Sequence, residues 1–231
     1  MFKSGSGRRI DLHDLGIMNT AENHAVHGWF RFDRVSRNHS ADASTSNRAS
    51  SSPANCWVLG DDHDVVVVDA PGEPETIVAT VGDRRVTAVI CTQGGHAHTA
   101  AAVDVAWTLC APVLLHPADH ALWEETHEQS RYWRLEDGQR IAVAGEQLEV
   151  MHTPVTTAGS VSLHFPRLKT LFTGDALGSG CEPSDHCPPW SPELSLLSDL
   201  PDNTYVYPGH GSSFLLGEIA SPTDRWVRHS A

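Results

Sequence analysis

The apolar positions change period along the chain, and the changes mark its elements. Residues 56–59 and 65–68 are short apolar runs on either side of the turn Gly60-Asp-Asp, the second run β-branched throughout. Runs of this length bounded by turn residues predict the two strands of a hairpin, followed by the loop Asp69-Ala70-Pro71-Gly72. Residues 73–81 then read as a helix, 85–92 as a buried strand carrying Val86, Ala88, Val89 and Ile90, and 99–109 as an Ala-rich helix. Strand, helix, strand, helix predicts an α/β layer. Residues 112–116 give another strand, 120–128 another helix, and 140–143 with 147–151 a hairpin around Ala144-Gly145-Glu146. Residues 161–165 and 171–173 are further strands, the latter running into Gly174-Asp175. After a segment rich in Pro, Ser and Cys (177–192) come a short helix and a last strand, 204–207, which enters Pro208-Gly209-His210-Gly211.

The first 53 residues pattern poorly. Trp29, Phe30 and Phe32 lie close together, but 36–53 is almost wholly Ser, Ala, Asn, Asp and Arg, a composition that buries little. The expected division is an irregular N-terminal extension, 1–53, packed on a domain formed by 54–231. The whole chain is 231 residues with 40 % apolar side chains, and adding 18 Gly brings this to about 48 %, within the range of globular proteins. A net charge of −13 repels polyanions, so neither nucleic acid nor an anionic membrane surface is an expected partner. No run approaches the ~18 apolar residues of a membrane helix, and Met1-Phe-Lys-Ser-Gly-Ser-Gly-Arg-Arg is not followed by the apolar stretch of a secretion signal; a cytoplasmic protein is expected. Five cysteines are an odd number, and Cys56, Cys91 and Cys110 fall in apolar segments, where a thiol behaves as a small core side chain rather than half of a disulfide. Trp107 and Trp123, at helical positions, are expected in the core or a pocket wall.

Several motifs recur in a recognisable order: Asn55-Cys-Trp-Val-Leu-Gly, the strand ending in Asp69, Val89-Ile-Cys-Thr, Ala111-Pro-Val-Leu-Leu-His-Pro-Ala-Asp, His152-Thr-Pro, Gly159-Ser, Phe172-Thr-Gly-Asp and Gly209-His-Gly. Together they resemble the metallo-β-lactamase superfamily, in the branch of glyoxalase II and its hydrolase relatives. The resemblance covers about residues 54–211 and implies an αββα sandwich, with two mixed β-sheets between helices. It also implies a dinuclear zinc site built on Thr-His-x-His-x-Asp-His, a later His, an Asp and a last His. Laid on residues 92–98 without gaps, that motif puts Gln93, Gly95 and Ala97 at the positions of the first His, the second His and the Asp, and keeps only His98. Thr156 stands at the later His, while Asp175 and His210 match. One metal's ligand set retains only Asp175; the other's retains three of four. The dinuclear zinc site is therefore expected to be absent.

What remains supports three readings. His98, Asp175 and His210 satisfy the count of ligands for a single zinc or iron ion with an open position, and His96 lies near enough in sequence to join them. Without an ion, a carboxylate flanked by two imidazoles is an acid and base pair suited to hydrolysis, elimination or cyclisation of a small metabolite such as a thioester, ester or lactone. The third reading is a non-catalytic binding or scaffold protein in which the same side chains hold loops together. Gln93 and Thr156, Tyr207 just before the Pro-Gly-His turn, and Cys181, a few residues past Asp175, are the candidate substrate-binding residues. Cys181, His186 and Cys187 match no strong metal or nucleophile spacing. The sequence sets neither the substrate nor the oligomeric state.

Overall fold

In the computed structural model, residues 24–27, 29–36, 55–177 and 192–218 are described. They form two mixed sheets. The first runs β1 (His24–His27), β2 (Phe30–Ser36), β3 (Asn55–Gly60), β4 (Asp64–Val68), β5 (Arg85–Ile90), β6 (Val113–Leu115) and β7 (Trp133–Arg134), each strand beside the next. It is antiparallel as far as β4 and parallel from β4 to β7. The second is made of β8 (Arg140–Val143), β9 (Glu146–His152), β10 (Val161–Phe165), β11 (Thr170–Gly174), β12 (Tyr205–Pro208) and β13 (Phe214–Leu215), with only β11 and β12 parallel.

The period of two along each strand separates the buried layers. In β3 and β4, Trp57, Leu59, Val66 and Val68 face the second sheet, while Cys56, Val58, Val65 and Val67 face outward onto helices. Both faces are covered, which is why these strands read as continuous apolar runs. The outer cover is α1 (Pro74–Val81), α2 (His96–Thr99), α3 (Ala102–Thr108) and α4 (His120–His127), which contribute Ile77, Val81, Ala102, Val105, Ala106 and Trp123 to one cluster with the sheet. Proline in its first turn starts α1, and Gly82, at φ +63°, ends it by donating its N–H to the carbonyl of Val78. On the far side of the second sheet, Leu171 and Val206 pack on Leu194, Leu197 and Leu216 from short 3-10 turns. The order helices, sheet, sheet, helical turns is the αββα sandwich.

Several expectations are corrected. His24–His27 and Phe30–Ser36 are strands of the first sheet, not an irregular extension: β2 pairs with β3 from Arg31↔Gly60 to Ser36↔Asn55. Phe30 and Phe32 alternate inward and meet Phe165, Phe172 and Tyr207 between the sheets, so these two rings are part of the domain's core. The helix expected over 99–109 is two pieces, α2 and α3. Trp107 is 86 % exposed, because Ala102, Val105 and Ala106 make the buried face of α3 and residue 107 turns away from it. Cys110 is also exposed, at φ +52° just past α3, whereas Cys56, Cys91 and Trp123 are buried as expected. No helix among the described residues is long and apolar enough to cross a membrane.

The placement of β2 is open to a direct check. Phe32→Ala removes a fully buried ring from between the sheets and is expected to cost about 3–5 kcal/mol in chemical denaturation, while Trp107→Ala stays within about 0.5 kcal/mol of wild type. An unchanged midpoint for Phe32→Ala contradicts the packing described.

Candidate functional site

The parallel pairs of the two sheets bring four strand ends to one rim. In α/β folds the carboxyl ends of parallel strands are where side chains can converge without being consumed by the ladder. Here β4 runs into Asp69, β5 into the loop carrying Thr92, β11 into Asp175 and β12 into Gly209-His210. Backbone bonds sew the rim together: Val161 N–H to Thr92 O at 2.8 Å, Asn55 N–H to Gly209 O at 2.8 Å and Gly209 N–H to Gly174 O at 2.6 Å. The buried Asn55 amide donates to the carbonyls of Pro208 and Gly211, fixing the loop that carries His210. Two glycines make the approach close enough. A Cβ on Gly174, at φ +50°, would meet the Thr92 side chain, and one on Gly209 would lie 2.6 Å from Asp175 Oδ1 and 2.8 Å from His98 Cε1.

His98, Asp175 and His210 do converge. Asp175 Oδ2 is 2.9 Å from His98 Nε2, and Asp175 Oδ1 is 2.7 Å from His210 Nδ1. His98 is 1 % exposed; Asp175 and His210 are about a quarter exposed and form the solvent side of the group. The other nitrogen of His98, Nδ1, is 2.8 Å from Oδ2 of Asp69, which is itself buried and accepts from the N–H and hydroxyl of Thr92. Four ionisable side chains thus form one chain: Asp69, His98, Asp175, His210. Burial opposes charge on His98, but the Asp69 carboxylate and the bond to Asp175 outweigh it and push the imidazole up to about 10. Burial alone would raise Asp175, yet the bonds from His210 and His98 hold it well below the usual carboxylate range.

Gln93 and Thr156 also reach this group. Gln93 Nε2 donates to Asp175 Oδ2 at 2.9 Å, and the Thr156 hydroxyl donates to Gln93 Oε1 at 3.1 Å. Behind them Asp119 is 1 % exposed and ties three loops, accepting from Gly94 N–H, Gly159 N–H and the Thr157 hydroxyl. The remaining candidates fare differently. His96 starts α2, two residues before His98, and is exposed: positions two apart on a helix do not share a face, and it stands outside the group. Tyr207 does not reach the site. Val206 faces outward on β12, so Tyr207 faces the inter-sheet core, stacked on Phe172 with ring centroids 4.9 Å apart and edge-on to Trp57. Cys181, with His186 and Cys187, lies outside the described residues. Asp69 and Asp119 were not among the candidates. The signal for Asp69 is a carboxylate directly after a β-branched run, and its φ is a left-handed +58°; Asp119 stands at the N-terminus of α4, where its side chain makes no capping bond.

The donor atoms decide which metal occupancy the residues fit. One nitrogen of each histidine and an Asp175 oxygen lie within 4.8 Å of one another, a set of donors that suits one zinc or iron ion. Gln93 presents an N–H to Asp175, its carbonyl oxygen is taken by Thr156, and Gly95 and Ala97 carry no donor.

Comparison with known proteins agrees with this architecture. The model of the metallo-beta-lactamase superfamily matches residues 51–210. A hydroxyacylglutathione hydrolase of Pseudomonas aeruginosa is 31 % identical over 163 residues, covering 67 % of this chain and 60 % of the relative. A beta-lactamase-like protein 2 homolog of Caenorhabditis elegans is 31 % identical over 100 residues, covering 43 % and 33 %. The matches span from about a third to three-fifths of the length of these curated relatives. Among solved structures, TTHA1623 in a di-iron-bound form is 26 % identical with a TM-score of 0.63, covering 77 % of this chain and 98 % of that one. The fold, the order of the motifs and the family match over residues 51–210 together make this chain a member of the metallo-beta-lactamase superfamily, with a hydrolase-like fold and relatives of the glyoxalase II type.

Proposed function

We propose that this chain hydrolyses a small activated acyl compound, a thioester or ester, using His210 as base and Asp175 to orient it. The observation that carries the reading is the 2.7 Å contact between Asp175 Oδ1 and His210 Nδ1 at a solvent-facing rim, with Asp175 held from behind by His98 and Gln93. Because an ionised carboxylate only accepts, Nδ1 of His210 carries a proton, and in the neutral imidazole the lone pair is then on Nε2. That nitrogen is the base: it takes a proton from water as the oxygen attacks the acyl carbon, and Asp175 stabilises the imidazolium that forms. The proton then passes from Nε2 to the departing thiolate or alkoxide, leaving a carboxylic acid and a thiol or alcohol. His98 is too buried to touch substrate. Its charge keeps Asp175 ionised and, through Asp69, is anchored in the first sheet. The relatives named hydroxyacylglutathione hydrolase direct the choice of substrate class to acyl thioesters.

The clustering of donors favours one further reading. In place of their mutual hydrogen bonds, His98, Asp175 and His210 would hold a single ion, which supplies a water activated near neutral pH. Metal content separates the readings, since the acid and base reading is indifferent to chelators.

Against acylated thiols and nitrophenyl esters, His210→Ala is expected to lower kcat/KM by about 10²–10⁴-fold, and Asp175→Asn by about 10²-fold or more, with KM little changed. Prolonged treatment with a chelator leaves the wild-type rate unaltered. Loss of activity on chelation, restored by zinc or iron, contradicts the acid and base reading in favour of the single ion.

A pH dependence of stability follows from His98. Its folded value, about 10, lies above the ordinary 6.5, so the stabilisation is fully present below about pH 6.5 and is lost as pH rises through 10. One proton gives a slope of at most about 1.4 kcal/mol per pH unit. Denaturant midpoints measured from pH 6 to 10 should fall for wild type and lose most of that slope in His98→Gln. Equal slopes in the two proteins contradict the charge assigned to His98.

A further inference from the structure

The Gln93 amide and the Thr156 hydroxyl do more than fill ligand positions that they cannot serve. The protons of Gln93 and Thr156 can be assigned, because Asp175 is a carboxylate that only accepts. The Gln93 atom 2.9 Å from Asp175 Oδ2 is therefore the NH₂ group, and its carbonyl oxygen faces Thr156. The Thr156 proton goes to that oxygen. Ser160 Oγ lies 2.8 Å from Thr156 Oγ1 and accepts the Thr157 N–H at 2.9 Å, while the Thr157 hydroxyl donates to Asp119 at 2.6 Å. Gln93 is 6 % exposed and Asp119 1 %, so the Gln93 end and its anchor are both screened from water.

We infer that Gln93 and Thr156 form an uncharged strut in which Gln93 is a positioning residue: it fixes the plane of the Asp175 carboxylate, with Oδ1 turned to His210, and closes the other side of Asp175 to a cation. The closure is electrostatic as well as steric. A metal ion beside Oδ2 needs lone pairs directed at it, and the strut presents N–H there, with the one oxygen of Gln93 already bonded. TTHA1623, which shares this fold, was solved in a di-iron-bound form; in the present chain Gln93 and Thr156 stand where the family resemblance puts two of the histidine ligands. The inference rests on the reading of Asp175 as the group that orients His210, and it adds the residues that orient Asp175.

The test uses the full chain and two readouts that do not depend on turnover. Long-range nitrogen–proton NMR of the histidine side chains is expected to show His210 as the Nδ1–H tautomer in wild type. In Gln93→Ala, and to a smaller degree in Thr156→Val, the signals should move toward a mixture with the Nε2–H form. His210 signals identical in wild type and both variants overturn the strut. Equilibrium dialysis against zinc provides the second readout: Gln93→His/Gly95→His/Thr156→His is expected to bind one more ion per chain than wild type. An unchanged stoichiometry in a folded triple variant, or two ions in wild type, overturns the closure. If the triple variant does not fold, Gln93→His alone is measured, with tighter zinc binding than wild type expected and equal or weaker binding contradicting the proposal. A chain without esterase activity whose His210 signals still respond to Gln93 removes the hydrolytic reading and keeps the strut. An active chain whose signals ignore Gln93 does the reverse.

Discussion

A carboxylate taken partly out of water must be repaid with donors or with positive charge, and the rim of this molecule is organised around how Asp175 meets that requirement. It sits at the end of β11 with three donors arriving from three other segments: Gln93 after β5, His98 on α2 and His210 after β12. Each arrives because a strand end or a short turn delivers it, and because Gly174 and Gly209 leave room for it. The two sheets are locked in register at the same place, through the backbone bonds of Thr92, Asn55 and Gly209. Fold and site therefore share one set of constraints.

The charge pattern along the chain of four side chains follows from alternation. Asp69 and Asp175 flank His98, so a protonated imidazole between them is satisfied on both nitrogens, and the outer imidazole, His210, lies with Asp175 on the side open to water. A buried charge is stable only when its partners are geometrically complete. Asp69 is completed by Thr92 and Asp175 by Gln93. In a site with two ions the same carboxylate would be compensated by metal charge; among the described residues, neutral and imidazole donors surround it.

Much of this was legible in the residues. Short apolar runs ending in Asp69, Thr92, Asp175 and the Pro-Gly-His turn announced strands that feed a common rim, and His98, Asp175 and His210 are indeed the residues that meet there. The errors have physical causes. The polar stretch 36–53 hid the strand before it, because a strand of seven residues with two inward apolar side chains, Phe30 and Phe32, and Val35 on the other face gives a weak signal beside a long polar segment. Tyr207 was misjudged by proximity along the chain, although the period of two on β12 already sends it to the side opposite Val206. Nearness in sequence groups His96 with His98, and the helical turn of α2 separates them. Asp119 takes its importance from partners distant in sequence, Gly94, Thr157 and Gly159, that no local pattern reports.

Neutron diffraction from crystals grown at neutral pH tests the central claim most directly, because it locates the protons that distinguish a hydrogen-bonded centre from a metal centre. Deuterium is expected on both nitrogens of His98 and on Nδ1 of His210, with Gln93 turned so that its NH₂ faces Asp175. An ion coordinated by His98 Nε2, Asp175 and His210, with His98 protonated only on the nitrogen facing Asp69, would contradict it.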